Sequence, residues 1–561
     1  MPDSKNTILY LLLAAAIVPY WIGIGESSLW DANEAFYAET PRMMIETGDY
    51  VSPSFNDKPR FNKPPLTYWI VAASYQVFGV SERSERLPIV LAAMGLIAAA
   101  FVIGRTVWGT QAGLWAAIVM ATLPRFLMHS RRTSIDVFLS LFMGLTLMFF
   151  VLSEARPTRR RLWLCLMYAC VGLGFMAKGP VAVVLPGAAF LIYLLVERGM
   201  RDIGKMMIPA GIAIFLAIVV PWYLLVYQKH GGNYIVSFIL NENIGRYTDE
   251  GWGPQRHFFY LQTLVGDLFP WSLLLIAGLV FVIFRKKFGE RIFGEVGFPY
   301  ARLMAIWTVI IVLFYSLSRN QQDQYMMPTY LAAAVLAGTV IWAFIKKDAP
   351  VVRWLFVASG ALIAGVGGAL LYLTSSGSNI DIAGIGAIGI IFVVGGIGTL
   401  VFSIMKKREL AVYSQVVAII GLMWIFVLVV LPDFERYKPV KALSEVISST
   451  ASPEARVGYY RYTAPTMAYY LRRPVLEYFR EDEIVNLFAD GKPAYMIMRE
   501  DDFKAVRSKL PPEAHIINTR PLLQIRLNTL FKRGERPEVV LVTNQETATD
   551  TFSRRLLALE G

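Results

Sequence analysis

Two short stretches near the N-terminus hold the residue types that could do chemistry: Trp30-Asp31-Ala32-Asn33-Glu34-Ala35-Phe36-Tyr37-Ala38-Glu39 and Phe61-Asn62-Lys63-Pro64-Pro65-Leu66-Thr67-Tyr68-Trp69. A carboxylate can take a proton or steady a developing positive charge, and a lysine among aromatic rings can hold an anion. Both stretches follow a first apolar run, so they lie at a membrane surface, where an amphipathic lipid-linked substrate could be gripped. Asp31-x-x-Glu34 also has the spacing of a helix start, with Asp31 as cap and Glu34 at the third helical position. A helix from about residue 32 to 45 would set Asn33, Tyr37 and Thr40 or Pro41 on one face. Pro64-Pro65 fixes a turn, and residues 66–78 predict a helix too short to span, lying at the interface or re-entering. Lys63 is thereby placed at the mouth of a helix bundle.

The elements that must position these groups are membrane helices. With 561 residues, 55% of them hydrophobic, and a mean hydropathy of +0.48, the chain is too apolar for a soluble globular protein. The formal charge of +12 is not a nucleic-acid signal, because Lys and Arg gather in the cytoplasmic loops of membrane proteins. Cys165 and Cys170 fall inside one apolar span, which supports neither a disulfide framework nor a cysteine zinc site. The opening residues read as an uncleaved first helix.

Windows of ~20 apolar residues lie near 7–25, 84–104, 111–128, 134–153, 161–177, 180–196, 206–227, 259–284, 301–318, 325–345, 351–373, 382–404 and 410–431. An α-helical polytopic protein with about thirteen transmembrane helices over 1–431 is expected, followed by a soluble α/β domain over 432–561. Basic clusters such as Arg159/Arg160/Arg161, Lys286/Lys287 and Lys406/Lys407/Arg408 mark one side as cytoplasmic. The N-terminus then lies inside, and the loops at about 26–83 and 228–258, with the C-terminal domain, lie outside. Matched broken helices in two halves are lacking, which disfavours the rival reading of a lipid or solute transporter.

Charges that break the topology rule are the more telling ones. Arg125, Arg131 and Arg132 cluster on the outer side, and Lys178, Arg246 and Arg319 sit at outer ends of spans. A phosphate at the outer leaflet would suit them, although each alone could snorkel to headgroups. Asp136 lies just inside the fourth span, where a carboxylate is costly unless it faces a cavity or a partner; a first-turn acid on the helix dipole is the alternative.

The run WDANEAFYAETPRMMIETGDYVSPSFNDKPRFNKPPLTYW resembles the first extracytoplasmic loop of the bacterial lipid A aminoarabinose transferases, within the protein O-mannosyltransferase-like (GT-C) membrane glycosyltransferases. Further resemblances follow in order: Asp136, Gly174 to Pro180, Glu242 to Tyr247, Pro270-Trp271, and Ser316 to Pro328. They cover about residues 8–345 and are weak in the tail.

The resemblance implies a transferase in the bacterial inner membrane that moves a sugar, 4-amino-4-deoxy-L-arabinose or a relative, from undecaprenyl phosphate to lipid A or another periplasmic glycoconjugate. Protein O-mannosylation is the alternative. It implies donor-phosphate binding by Lys63, Lys178, Arg246 and Tyr325, and a base or charge stabiliser in Glu34 first, then Asp136, with Asp31 the other first-loop carboxylate; Arg131 and Arg132 stay candidates for anion binding on the ground of their outer-side charge. The family's first-loop acid pair falls on Asn33 and Glu34, and its FEKP-like sequence is FNKP here. Asn62 thus replaces a Glu that resembles a metal ligand in some relatives. No cofactor is expected, and a divalent metal stays a secondary alternative.

Overall fold

The computed structural model describes residues 4–236, 238, 242, 245, 256–347, 349–375, 382–522 and 537–545. Among them, nine helices are long and apolar enough to cross a membrane. Two further pairs, Thr110–Ala121 with Pro124–Ser130 and Phe259–Asp267 with Ser272–Ile283, would each cross as one bent unit, turned by 67° and 115°. Two shorter apolar helices, Lys5–Tyr20 and Val181–Glu197, stand beside them. The thirteen expected spans therefore fall into three unequal kinds, which an apolar window cannot tell apart because it reads composition and not bending.

The helices that carry the first outer loop and its surroundings are α1 (Ser4–Ile17), α2 (Asn33–Thr47), α3 (Leu66–Phe78), α4 (Glu82–Trp108), α5 (Thr110–Ala121), α6 (Pro124–Ser130), α7 (Ile135–Ala155) and α8 (Arg160–Lys178). Ser81 starts α4: its hydroxyl accepts from the Ser84 amide at 3.2 Å, and the Ser84 hydroxyl accepts from the Ser81 amide at 3.1 Å. Glu82 and Glu85 in the first turn and Arg105 in the last complement the helix dipole. Ser134 starts α7 in the same way, accepting from the Asp136 amide, which puts Asp136 in the first turn. At the end of α8, Gly179 takes φ +103°, and a Cβ there would lie 2.6 Å from the Phe238 ring. Glycine alone suits that turn, and it stops the helix on Lys178.

The helix after the first apolar run begins at Asn33, not on an Asp31 cap: Ala32 occupies the cap position with no side-chain bond. The Asp31 carboxylate accepts instead from the Thr466 amide at 2.8 Å and its hydroxyl at 2.7 Å, so a partner distant in sequence has displaced the local one. The short helix expected over 66–78 forms with those bounds.

The tail folds as a five-stranded sheet flanked by helices. β3 (Arg456–Tyr460), β4 (Leu476–Tyr478), β5 (Ala494–Arg499), β6 (His515–Pro521) and β7 (Glu538–Thr543) run in the order β4-β3-β5-β7-β6, counting from a two-residue hairpin, β1 (Ser54–Phe55) and β2 (Lys58–Pro59), in the first loop. β3 is parallel to β4 and β5, while β7 is antiparallel to β5 and β6. Alternation sorts the strands' side chains: Val457, Tyr459, Tyr495, Ile497, Val539 and Leu541 face one core. Met496, Met498, Val540 and Val542 face the other. The first of these cores also takes in Ala35 and Phe55 of the first loop. Asn56 exchanges two hydrogen bonds with the Val475 backbone at 2.7 and 2.8 Å, and Lys441 pairs with Glu82 at 2.8 Å. The sheet domain is thus docked on the first loop, which carries Asp31 and Glu34.

Candidate active site

The ends of α2, α7 and α8, the Phe61–Pro65 turn and the segment before Met327 meet around one cavity. It is lined by Asn33, Tyr37, Arg60, Asn62, Lys63, Ser134, Ile135, Asp136, Lys178, Gln322, Gln324 and Tyr325. Asn33 and Tyr37 reach it from one face of α2, as their four-residue spacing requires. A wider opening of about 920 Å³ shares Asn33, Gln322 and Gln324 with it and is walled by Arg125, Asp267 and Asp323.

Two lysines dominate the charge. Lys178 is paired with the Asp136 carboxylate, and its Nζ stands 4.4 Å from the centre of the Tyr325 ring. Lys63 donates to Glu242 Oε2 and to the Asn62 carbonyl, each at 2.8 Å, while the Tyr234 hydroxyl donates to the Lys63 carbonyl at 3.1 Å. Lys63 and Asp136 are largely buried, at 9% and 3% exposure. Asp136 is the carboxylate lining this cavity among the described residues. Each lysine is held by one acid at the cavity edge, which is how a site keeps cations in place for an incoming anion without leaving them unpaired.

Glu34 is elsewhere. It is 1% exposed and its two oxygens receive four donors. Arg86 contributes Nε at 2.8 Å and Nη2 at 2.9 Å, the Trp30 amide 2.8 Å and the Thr133 amide 2.8 Å. Although burial alone would raise it, the Arg86 guanidinium holds its carboxyl below the usual range. Such a group has no lone pair left for a substrate proton. Asp31 is spent on Thr466, as described above. Arg131 and Arg132 line a separate cavity with Trp30 and Arg86, and Arg246 lies outside the described residues.

Reading the chain alone missed Arg86 and gave Glu242 no role. A signal for Arg86 exists, since it falls inside a window expected to span a membrane, where an ionised side chain needs a named partner. Among the described residues, no three His, Cys, Asp or Glu side chains are grouped so as to hold a metal ion.

Comparison with known proteins bears on this arrangement. Residues 62–224 match the family described as dolichyl-phosphate-mannose-protein mannosyltransferase. An undecaprenyl phosphate-alpha-4-amino-4-deoxy-L-arabinose arabinosyl transferase of Pseudomonas aeruginosa is 31% identical over 343 residues, 60% of this chain and 60% of the relative. An uncharacterized protein of Aquifex aeolicus is 27% identical over 58% of this chain and 62% of its own. The matched part thus spans about three fifths of the curated relatives' length. In three dimensions, the crystal structure of ArnT from Cupriavidus metallidurans bound to undecaprenyl phosphate superposes with a TM-score of 0.76 at 22% identity, covering 97% of this chain and 99% of that one. The chain has the ArnT fold.

An oligosaccharyltransferase of Archaeoglobus fulgidus superposes more loosely, with a TM-score of 0.53 at 11% identity over 89% of this chain and 70% of that one. The similarity to aminoarabinose transferases expected from the first loop is therefore found in sequence and in fold, and the fold likeness extends through the sheet domain that the sequence resemblance scarcely reached. The chain is a multi-pass membrane protein.

Proposed function

We propose that this protein is a membrane glycosyltransferase that takes a sugar from undecaprenyl phosphate and passes it to an acceptor on the extracytoplasmic face. The sugar in this reading is 4-amino-4-deoxy-L-arabinose or a close relative, and the acceptor is lipid A. The observation that carries it is the convergence of Lys63, Lys178, Tyr325 and Asp136 on one cavity. The loop that forms its wall is the one that resembles the aminoarabinose transferases. With the donor phosphate about 4 Å from a lysine and an effective dielectric near 20, each contact is worth about 4 kcal/mol. Most of that counts toward catalysis only if it grows as the phosphate leaves.

In the reaction the bond between the anomeric carbon and the carrier phosphate oxygen breaks, releasing undecaprenyl phosphate, and an acceptor oxygen bonds to that carbon. Lys63 and Lys178 balance the charge on the departing phosphate, and Tyr325 closes one side of it. Asp136 takes the acceptor proton, or steadies the oxocarbenium-like carbon where the acceptor is a phosphate already ionised. Glu34 has no part in this step, because its oxygens are filled by Arg86 and two backbone amides. In this reading the basic clusters face the cytoplasm, with the N-terminus inside and the sheet domain in the periplasm.

The match of residues 62–224 to the mannosyltransferase family favours one other reading, a mannosyl donor with a protein acceptor. Mass spectrometry of lipid A from cells with and without the gene decides between them. A sugar-sized loss on deletion supports the lipid A acceptor; unchanged lipid A with a lost protein glycan supports the second reading.

A further inference from the structure

A second, small cavity lies against Arg86 of the Glu34–Arg86 pair. Its charged lining is three arginines, Arg86, Arg131 and Arg132, with no carboxylate, and its apolar walls include Ile24, Phe426 and Leu431. Arg86 is neutralised by Glu34. Among the described residues no acid is ion-paired with the other two, although Glu26 lies near enough to act on Arg131 and Glu34 on Arg132. Arg131 is 8% exposed; its Nη1 donates to the Pro19 carbonyl at 2.5 Å, and its buried Nε has no partner. Arg132 stands 5.6 Å from the Trp30 ring centre and 3.5 Å from His129 Nδ1. Burial, with the neighbouring Arg86 charge, pulls the Arg131 guanidinium down to about 10 against the opposing pull of Glu26. A buried guanidinium with an unpartnered Nε, beside a second, half-buried arginine and apolar walls, is costly unless an anion carrying an apolar body joins it.

We propose that this cavity is a second anion site, distinct from the donor cavity, that takes the phosphate of a lipid. Arg131 and Arg132 hold the phosphate through charge-assisted bonds, and Ile24, Phe426 and Leu431 meet the apolar part. The backbone gives a reason for the pairing of the two cavities. Arg131 and Arg132 lead directly into Thr133, whose amide is fixed to Glu34, and then to Ser134 and Asp136 on the donor side. A lipid phosphate seated here would bring its own molecule alongside the reacting centre. The phosphate has two possible sources, an acceptor lipid and a resident membrane phospholipid; the proposal as an acceptor seat rests on the glycosyltransferase reading.

The test is native mass spectrometry of the full chain in detergent, titrated with dioleoyl phosphatidic acid while undecaprenyl phosphate is held saturating to fill the donor cavity. The intact chain should keep a phosphatidic acid adduct that diacylglycerol of the same chains does not form. Arg131→Ala and Arg132→Ala should each weaken it about tenfold or more, as loss of a charge-assisted bond requires, with undecaprenyl phosphate binding unchanged. Arg132→Lys should restore part of it. Should Arg131→Ala fail to fold without its bond to Pro19, Arg132→Ala carries the test alone. A raised KM for lipid A in Arg132→Ala assigns the site to the acceptor; an unchanged KM with loss of a co-purifying phospholipid assigns it to a resident lipid. Equal phosphatidic acid binding by the intact chain and both variants, or its full displacement by undecaprenyl phosphate, overturns the second site. Failure of undecaprenyl phosphate itself to bind would instead strike the donor reading.

Discussion

Glu34 and Asp136 are both buried carboxylates in the first turn of a helix, each bound to one cation, yet their surroundings differ. Glu34 meets a guanidinium through two bonds and two backbone amides through two more. Asp136 meets an ammonium and lines a cavity. A planar fork that fills both oxygens makes a strut, and a compact point charge on one oxygen leaves the other edge of the acid available. The strut ties α2, α4 and the segment before α7 together, and the available acid sits where that segment ends. What a buried carboxylate is free to do therefore depends on how many donors it already has, more than on its burial.

The sharpest way to break this comparison is to remove each acid's charge in turn. Asp136→Asn should lower turnover about 10²–10⁴-fold, as loss of a base or charge stabiliser does, while the melting temperature in detergent moves little. Lys178→Ala should do similar damage. Glu34→Gln should do the reverse: it strands Arg86, and breaking a buried pair costs about 3–5 kcal/mol, read as a large fall in thermal stability with turnover per folded molecule kept. The double variant Glu34→Gln with Arg86→Met should recover much of that loss. If Glu34→Gln abolishes turnover without lowering stability, the strut assignment is wrong.

A smaller effect separates the two lysines from their acids. Lys63→Ala should raise the Kd for undecaprenyl phosphate strongly, whereas Glu242→Gln should change it by only about tenfold, because removing the acid frees a cation that the phosphate then neutralises. Isothermal titration with undecaprenyl phosphate reads both, and equal losses would make Glu242 part of the phosphate seat itself.

Much of the lining of the Lys63–Asp136–Lys178 cavity was legible in the chain because its polar residues interrupt apolar spans or end them: Lys63 before a short helix, Lys178 before a glycine, and Asp136 behind a serine cap. The surroundings of Glu34 were not legible, for a physical reason. Its type and position suit catalysis, but its partner Arg86 lies fifty-two residues away, and local spacing carries no information on such a contact. Asp31 misled likewise, since its bond to Thr466 spans 435 residues and replaces the cap that the local pattern predicts. Sheet order in the tail was beyond reach for the same reason, with β7 inserted between β5 and β6. What the chain alone conveys well is which side chains are polar where lipid should be; which of them are already satisfied is a tertiary fact.

The last prediction tests the joint between the two regions. Lys438 follows the final span; it donates to the Ser27 hydroxyl at 3.0 Å and stands 4.4 Å from the Trp30 ring centre. Burial pulls its ammonium down to about 8, against the opposing pull of Glu435. The folded state therefore binds fewer protons than the unfolded chain between about pH 8 and the ordinary lysine value near 10.4. Stability gains from this group as pH rises through that window and is least below pH 8, with a slope of at most about 1.4 kcal/mol per pH unit. Melting curves of the intact chain and of Lys438→Met, compared from pH 7.5 to 10, should converge toward high pH. Parallel curves would mean that the lysine is solvated and that the sheet domain is held to the first loop by Asn56, Asp31 and the shared apolar core without it.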